Sequence, residues 1–189
     1  NLAILHHKWC QYNQEELEYR EALTIYRKLA DHNPDVFLPD VIKCLNNLAI
    51  LHHKAKKYDI AEQEYNETIG FYSRLAEKDP EAFLPDLARN LGNLANMYYA
   101  VQKYDLAEHK YYASIRIHRQ FTCNQPDVYN PKLAVSLNML SSCYYHLGKF
   151  DLVLPTIDEA ISLDPIAKYY DSKGELLMLM GRMEEAKKV

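Results

Sequence analysis

The stretch Asn47–Tyr65, NLAILHHKAKKYDIAEQEY, sets the pattern that the rest of the chain repeats. Its first eight residues are identical to Asn1–Lys8, which lie 46 positions earlier. The same step leads on to Asn93–Ala95 and Tyr104, and a looser fourth copy surrounds Leu140. A fixed period of this size is typical of stacked repeat proteins, in which each unit buries its apolar face against its neighbours rather than in one central core.

Apolar residues within each copy recur at the spacing of an α-helix. In the third copy they fall at positions i, i+4, i+7, i+8 and i+11, which is one face of a helix. These residues are Leu87, Leu91, Leu94, Ala95 and Tyr98. No alternating strand pattern occurs, and the chain has only five glycines. The sequence therefore predicts an all-α protein.

Pairs of prolines separate the copies and keep the same period. A proline disfavours α geometry in the residue before it, so the first proline of each pair predicts the end of a helix. The second suits the first turn of the next helix, where its missing N–H costs nothing. An aromatic residue between the two is expected to pack into the joint. The three sets are Pro34, Phe37 and Pro39; Pro80, Phe83 and Pro85; and Pro126, Tyr129 and Pro131.

These signals predict four helix pairs and the start of a fifth. The pairs are Asn1–Cys10 with Asn13–Ala30, Pro39–Lys56 with Tyr58–Lys78, Pro85–Gln102 with Tyr104–Phe121, and Pro131–Leu147 with Phe150–Leu163. The repeats would span residues 1–38, 39–84, 85–130, 131–165 and 166–189 of a single array. Because the first and last repeats are incomplete, we expect a fragment of a longer protein. Pro155, inside the last helix named, predicts a bend or a late helix start, and the sequence leaves open whether it displaces the fifth repeat.

The net charge, the apolar runs and the cysteines limit which partners and which location are expected. A net charge of −4 argues against nucleic-acid binding, which usually shows a basic patch or stripe. No run of about eighteen apolar residues occurs, so no membrane span is predicted. The cysteines form no C-x-x-C pair and are interpreted as unrelated thiols in a reducing compartment, which favours a cytoplasmic location. They are Cys10, Cys44, Cys123 and Cys143.

The spacing of the fourth copy resembles the tetratricopeptide repeat (TPR). The matching residues are Leu140, Tyr144, Gly148, Phe150, Ala160 and Asp164-Pro165. Two further segments, Leu45–Ala49 and Lys57–Glu62, resemble the long-helix branch of that family, which includes kinesin light chains and bacterial multi-repeat proteins. The resemblance implies a right-handed α–α superhelix, or solenoid, of helix-turn-helix repeats. Glu15 departs from the family pattern, because it stands where Ala61 and Ala107 supply a small residue.

The resemblance also implies that the first helix of each pair lines a concave groove, which holds an extended peptide or a helix of a partner. Projected onto this chain, the groove residues are Asn1, Lys8, Lys43, Asn46, Asn47, Ile50, His53 and Lys54, then Arg89, Asn93, Asn96 and Tyr99, then Asn138, Ser142, Tyr145 and His146. Asn1, Asn47 and Asn93 occupy one repeat position, where an amide can pair with a peptide backbone of any sequence. The alternative is that each bonds a neighbouring helix and holds the repeat geometry.

The same face is more basic than the chain as a whole. Its cationic residues are Lys8, Lys43, Lys54, Arg89 and His146. An acidic ligand or a C-terminal carboxylate would be steered toward such a face. The alternative is a solvated lysine face with no ligand.

No arrangement of residues indicates catalysis, a cofactor or a metal site. The chain has no G-x-S-x-G, no phosphate-binding glycine-rich loop and no H-E-x-x-H. The pairs His6-His7 and His52-His53 cannot readily share a metal, because adjacent helical residues point about 100° apart. His52 falls instead in the core stripe, at the position of Tyr98 and Tyr144. We therefore expect no enzyme activity.

Three functions agree with these observations. The favoured one is a protein–protein interaction module that binds a peptide or helix in its groove. The second is a structural or regulatory scaffold within a larger multidomain protein, or a self-association module. The third is a peptide-pheromone sensor of the bacterial regulator type, which would require a DNA-binding helix-turn-helix elsewhere in the full-length chain.

Overall fold

A computed structural model describes the backbone of residues 2–189 and the side chains from residue 12 onward. Over this range the chain forms nine helices and no strand, which confirms the predicted all-α class. The helices are α1 (Leu2–His32), α2 (Pro34–Lys54), α3 (Tyr58–Lys78), α4 (Pro80–Ala100), α5 (Tyr104–Thr122), α6 (Pro126–His146), α7 (Phe150–Leu163), α8 (Ala167–Leu179) and α9 (Met183–Ala186). They divide into two compact units, residues 1–80 (unit 1) and 81–189 (unit 2).

The first proline of each pair both ends one helix and begins the next. The residues before Pro34 and Pro126 have φ values of −144° and −139°, so the preceding helix stops there as predicted. The prediction that the next helix begins at the second proline is wrong. Helices α2, α4 and α6 begin at the first proline, five residues earlier, and Pro39, Pro85 and Pro131 lie inside them.

Each interior proline is the sixth residue of its helix. At that place a proline removes a single hydrogen bond, to a carbonyl in the first turn. The residue that carries this carbonyl is exposed, as at Asp35 of α2 and Asp151 of α7, so water can serve the carbonyl. Pro155 follows the same rule in α7, which runs without a break from Phe150. The predicted late start of this helix is therefore wrong.

Helix α1 is continuous where a turn was predicted between Cys10 and Asn13. In the later copies this turn contains a residue with positive φ, namely Lys56, Gln102 or Gly148. Those turns are followed by Lys-Tyr-Asp or Lys-Phe-Asp, whereas the first copy has Gln-Tyr-Asn and lacks the acidic residue of the first helical turn. A chain folded back here would also bury the carboxylate of Glu15, which is exposed on the continuous helix.

In unit 1, α2 packs against both α1 and α3. The core between α1 and α2 is formed by Leu23, Val41, Cys44, Leu45 and Leu48, with Phe71 of α3 packed against it. These residues repeat every three or four positions along α2, as the helical periodicity predicted.

His52 is fully buried at the centre of unit 1. Its Nδ1 lies 2.6 Å from Oε2 of Glu64, and its Nε2 lies 3.3 Å from Oε1 of Glu16. The second contact is within ion-pair distance but lacks hydrogen-bond geometry. Glu16 also accepts a hydrogen bond of 2.7 Å from Nζ of Lys57. We call these four residues the His52 cluster; its members on α1, α2 and α3 tie the three helices together.

In unit 2, α6 packs against α5, α7 and α8. Tyr129 is buried at the start of α6, with its ring 5.0 Å from that of Phe121. This contact confirms, for Tyr129, the predicted packing of the aromatic residue into the joint. Two ion pairs of unit 1 recur here: Lys149–Glu108 corresponds to Lys57–Glu16, and Arg119–Glu159 corresponds to Arg27–Glu67. The copies thus share surface contacts as well as core positions.

Two further findings bear on the predictions from composition. The described cysteines are free thiols; Cys44 and Cys143 are buried and Cys123 is exposed. The side chain of Cys10 lies outside the described residues. Among the described helices, none is long and apolar enough to cross a membrane.

Candidate functional site

The predicted groove residues of unit 1 share one face of α2. Lys43 and Lys54 are exposed, while Asn46, Asn47, Ile50 and His53 are half-buried. Their spacing of three or four residues places them on adjacent helical turns. The side chains of Asn1 and Lys8 lie outside the described residues. Unit 1 therefore presents a short polar and cationic strip with the Asn47 amide at its middle.

In unit 2 the predicted residues lie on two helices that flank α5. On α4, Arg89 is exposed, and Asn93, Asn96 and Tyr99 are half-buried. On α6, Ser142 and Tyr145 are half-buried, His146 is exposed and Asn138 is buried. Asn138 has only 5% of its surface exposed and is thus largely withdrawn from any ligand.

Helices α4, α5 and α6 enclose a cavity of about 280 Å³. We call it the Gly92 cavity, because Gly92 of α4 lies in its wall. Three of the four predicted residues on α4, Arg89, Asn93 and Asn96, border it. The remaining wall comes from α5 and α6, and it includes Ser114, His118, Lys132, Val135 and Ser136.

The hydroxyl groups of this wall are already hydrogen-bonded inside the protein. Ser114 donates to the carbonyl of Ala88 at 2.8 Å. Tyr111 donates to Oδ1 of Asn96 at 2.5 Å, which leaves the Asn96 Nδ2 group as a donor. The hydroxyl protons of Ser114 and Tyr111 are therefore already used inside the protein, whereas Nδ1 of the buried His118 has no hydrogen-bond partner among the described residues.

The rim carries two cations and one carboxylate. Arg89 pairs with Asp86 at 2.7 Å, and Lys132 lies 4.7 Å above the ring of Tyr129. His118 is buried deeper in the wall, where burial, together with the charge of Lys132, lowers its pKa to about 4. The imidazole is therefore neutral at neutral pH, and the positive potential comes from the rim.

Comparison with known families gives two matches, both described as tetratricopeptide repeat, at residues 41–80 and 134–166. The chain is a tetratricopeptide-repeat protein. The matched segments cover the second and fourth copies, which are the two copies on which the resemblance in sequence rested.

Solved TPR structures have the same fold at low identity. A putative kinesin light chain with nearly identical TPR-like repeats, from Podosopora anserina, aligns at a TM-score of 0.66 and 12% identity, over 97% of this chain and 90% of its own. MamA aligns at 0.59 and 16%, over 93% and 86%. BtubC (BKLC) from P. vanneervenii aligns at 0.54 and 16%, over 94% and 87%. No curated protein matches the chain.

The TPR turns of unit 2 bring together residues that the sequence placed in separate repeats. His146 Nε2 lies 3.2 Å from the hydroxyl of Tyr99, and its ring stacks on Tyr104 at a centroid distance of 4.4 Å. Tyr145 contacts His146 and Phe150 in turn. These aromatic residues form a continuous cluster at one end of the strip.

Sequence reasoning missed the Gly92 cavity because it assigned the groove to the first helix of each pair alone. Residues of α5, such as Ser114 and His118, were therefore left out. One signal was present in the sequence: Gly92 occupies the repeat position of Asn46 and Asn138. Glycine in place of asparagine, at a position that faces a neighbouring helix, indicates an unfilled space between the helices.

Proposed function

We propose that this chain is a protein-interaction module that binds peptide segments or helices of a partner, on the strip of α2 in unit 1 and on the strip of α4 in unit 2. Tetratricopeptide repeats support protein–protein interaction as the general function. The observation that carries the finer proposal is the state of Asn47 and Asn93. Both are half-buried, and within the described part of the chain neither amide takes part in a hydrogen bond.

An amide in this state suits recognition of a peptide backbone. A half-buried amide is partly desolvated, and its donor and acceptor can pair with the C=O and N–H of an extended ligand. If Asn47 and Asn93 instead held the repeat geometry, each would bond a neighbouring helix. Their lack of such bonds favours binding over a purely structural role.

The charge around the two asparagines favours an acidic partner. Lys43 and Lys54 flank Asn47, and Arg89 and Lys132 lie near Asn93, in a chain whose net charge is −4. Exposed cations concentrated beside a binding strip attract anionic ligands and speed their association, and added salt weakens the effect.

A selection from a random peptide library tests the proposal. Wild type, Asn47→Ala/Asn93→Ala and the control Asn66→Ala/Asn124→Ala would each be immobilised; both control asparagines are exposed and lie outside the strips. Circular dichroism would establish that all three are folded. We expect wild type and the control to select the same peptides, and the strip variant to bind them about tenfold or more weakly, because one or two hydrogen bonds are lost.

Equal binding by all three proteins would contradict the proposal. Binding of the chain only to itself, with no peptide selected by wild type, would support the scaffold or self-association hypothesis instead.

A further inference from the structure

We infer that two copies of this chain associate by exchanging the N-terminal part of α1, so that the segment Leu2–Lys8 of each copy covers a face of α1 in the other. This face, which we call the open face, consists of four residues at helical spacing, Glu15, Glu18, Tyr19 and Ala22. The inference goes beyond the proposed function and does not depend on it, because the peptide strips lie on α2 and α4.

The open face of α1 is less buried than the same repeat positions on other helices. On α3, Ala61 and Tyr65 have at most 1% of their surface exposed, and the matching residues of α5 are equally buried. Their counterparts on α1 are Glu15, which is exposed, and Tyr19, which is half-buried. A helical segment thus covers these positions in the second copy, and no described side chain covers them fully on α1.

The segment that covers α3 is Leu48–Lys54 of α2. Nδ1 of His52 lies 2.6 Å from Oε2 of Glu64, and the ring of His53 makes an edge contact with Tyr65 at a centroid distance of 6.4 Å. The segment Leu2–Lys8 has the same seven residues in the same order. The chain therefore carries a second covering segment of identical composition.

Both partners of each of these contacts recur in the first copy, but α1 holds them apart. His6 and Glu18 correspond to His52 and Glu64, and they lie twelve residues apart on one continuous helix. At 1.5 Å per residue this spacing separates them by about 18 Å along the helix axis. The contact that joins α2 to α3 therefore cannot form within a single α1.

A second copy of the chain provides the missing contact. When two α1 helices run antiparallel, Leu2–Lys8 of each copy lies on the open face of the other, in the relation that α2 has to α3. The arrangement is symmetric, since both copies contribute the same segment and the same face, and every contact forms twice. Exchange of an identical element between copies is a common route to dimers, because it reuses contacts that the fold already contains.

The charges of the segment and the face are complementary. Leu2–Lys8 contains one lysine and two histidines and no acidic residue. The open face presents Glu15 and Glu18, both exposed, while the nearby Arg20 is paired with Glu16 at 3.0 Å. Such a face attracts the cationic segment and repels an acidic peptide, which favours a second copy as the occupant. The lysine of the second copy also supplies a countercharge to Glu15.

Two variants with reversed charges test the inference. The segment variant is His6→Glu/Lys8→Glu, and the face variant is Glu15→Lys/Glu18→Lys. The control, Glu77→Lys/Glu175→Lys, makes the same charge change as the face variant at exposed positions outside α1. Sedimentation velocity over a dilution series would measure the mass of each protein and of equal mixtures, and circular dichroism would establish that each is folded.

We expect wild type and the control to form dimers, of twice the chain mass of 22.1 kDa, that dissociate on dilution. Each charge variant alone places like charges against each other in both contacts and should dimerise about 10- to 100-fold more weakly. In a mixture of the two variants both contacts again join opposite charges. The mixture should therefore dimerise about as tightly as wild type, whereas the control mixed with the segment variant should not rescue it.

Three results would overturn the inference: wild type that stays monomeric throughout the series, charge variants that dimerise like wild type, or a mixture that is not rescued. A measurement on wild type alone does not depend on how the variants fold. Amide hydrogen exchange in Leu2–Lys8 should slow as the dimer forms, because the exchanged segment becomes covered. A dimer with unchanged exchange in this segment would use another surface and would equally refute the inference. None of these results bears on peptide binding by the strips.

Discussion

His52 in unit 1 and Tyr144 in unit 2 occupy the same position of the repeat, and each is buried, but their polar atoms meet different partners. His52 lies between the carboxylates of Glu64 and Glu16, and Lys57 donates a hydrogen bond to Glu16. Tyr144 meets the hydroxyl of Tyr112, Nζ of Lys149 lies 5.9 Å from the centre of its ring, and burial raises the pKa of Tyr144, which keeps it neutral. The same repeat position thus carries the His52 cluster in unit 1 and a pair of tyrosine hydroxyls in unit 2.

This difference predicts that the stability of the two units depends on different conditions. Buried charges are favourable only while every partner is present and in the right protonation state. A pair of neutral hydroxyls makes no such demand. We therefore expect unit 1 to depend on pH and on the completeness of its cluster, and unit 2 to depend mainly on packing.

The largest loss of stability is expected when the glutamate of the first copy, Glu15, is introduced at the matching position of unit 2. Ala107 is fully buried, and Glu15 holds the same repeat position in an exposed part of α1. Ala107→Glu should lower the free energy of unfolding by about 3–5 kcal/mol, because it buries an unpaired carboxylate in a filled site. The reverse change, Glu15→Ala, should alter it by less than about 0.5 kcal/mol. Denaturant titration of both variants gives the comparison, and similar losses at the two positions would contradict it.

A smaller loss is expected from giving unit 1 the tyrosine of unit 2. His52→Tyr leaves Glu16 and Glu64 without their shared partner and should cost about 2–3 kcal/mol of unfolding free energy, since both carboxylates keep some contact with water. Adding Glu64→Lys, which introduces the residue of the matching position Lys110, should restore part of the loss. Equilibrium unfolding of the single and double variants measures the coupling. A double variant that is less stable than the sum of its single changes would refute this reading of the His52 cluster.

The two units should also differ in how much unfolding free energy is lost at acidic pH. Burial disfavours the charge on Glu16, but interactions with Lys57 and His52 outweigh it and lower the pKa of this carboxyl from 4.5 to about 2. A lowered pKa stabilises the fold above pH 4.5, and this contribution is lost as the pH falls from 4.5 to 2. Solvent screening reduces the expected loss to about 1–2 kcal/mol.

Glu64 acts in the opposite direction. Burial raises its pKa, only partly opposed by His52, so its protonation at low pH favours the folded state and offsets some of the loss. Unfolding free energies at pH 5, 4 and 3 for wild type and Glu16→Gln would measure the net effect. We expect a shallower decline in the variant; parallel declines would show that Glu16 does not carry the pH dependence.

The smallest effect should be the same in both units. Arg27–Glu67 and Arg119–Glu159 are exposed pairs with matching distances of 2.7 Å. Arg27→Ala and Arg119→Ala should each cost about 0.2–1 kcal/mol, and less in high salt. Unfolding in low and high salt checks both. Unequal costs would show that the two copies differ at their surface as well as at the His52 and Tyr144 position.

Local signals in the sequence predicted most of the helices and several of their ends. The starts of α3, α5 and α7 at Tyr58, Tyr104 and Phe150 were predicted correctly. The starts of α2, α4 and α6 were missed, because the sixth helical residue tolerates proline at the loss of one bond. The continuity of α1 was missed because the identity of Asn1–Lys8 to the second copy outweighed the altered turn residues and Glu15.

Residue spacing along the sequence could not predict which side chains from distant segments lie in contact. Glu16 precedes His52 by many residues and lies on another helix, so no motif links the two. The Gly92 cavity needs three helices at once, although the glycine itself broke a visible pattern. The predicted strip on α2 and α4 could be located from the resemblance alone, but the absence of bonds from the Asn47 and Asn93 amides required coordinates.

The central claim is that the amides of Asn47 and Asn93 meet the ligand. The most direct measurement follows the side-chain amide resonances of the 15N-labelled protein while a library-selected peptide is added. We predict that the Asn47 and Asn93 resonances shift in proportion to the bound fraction, whereas those of the exposed Asn66 and Asn124 stay in place. Saturated binding with the first two resonances unmoved would contradict the account.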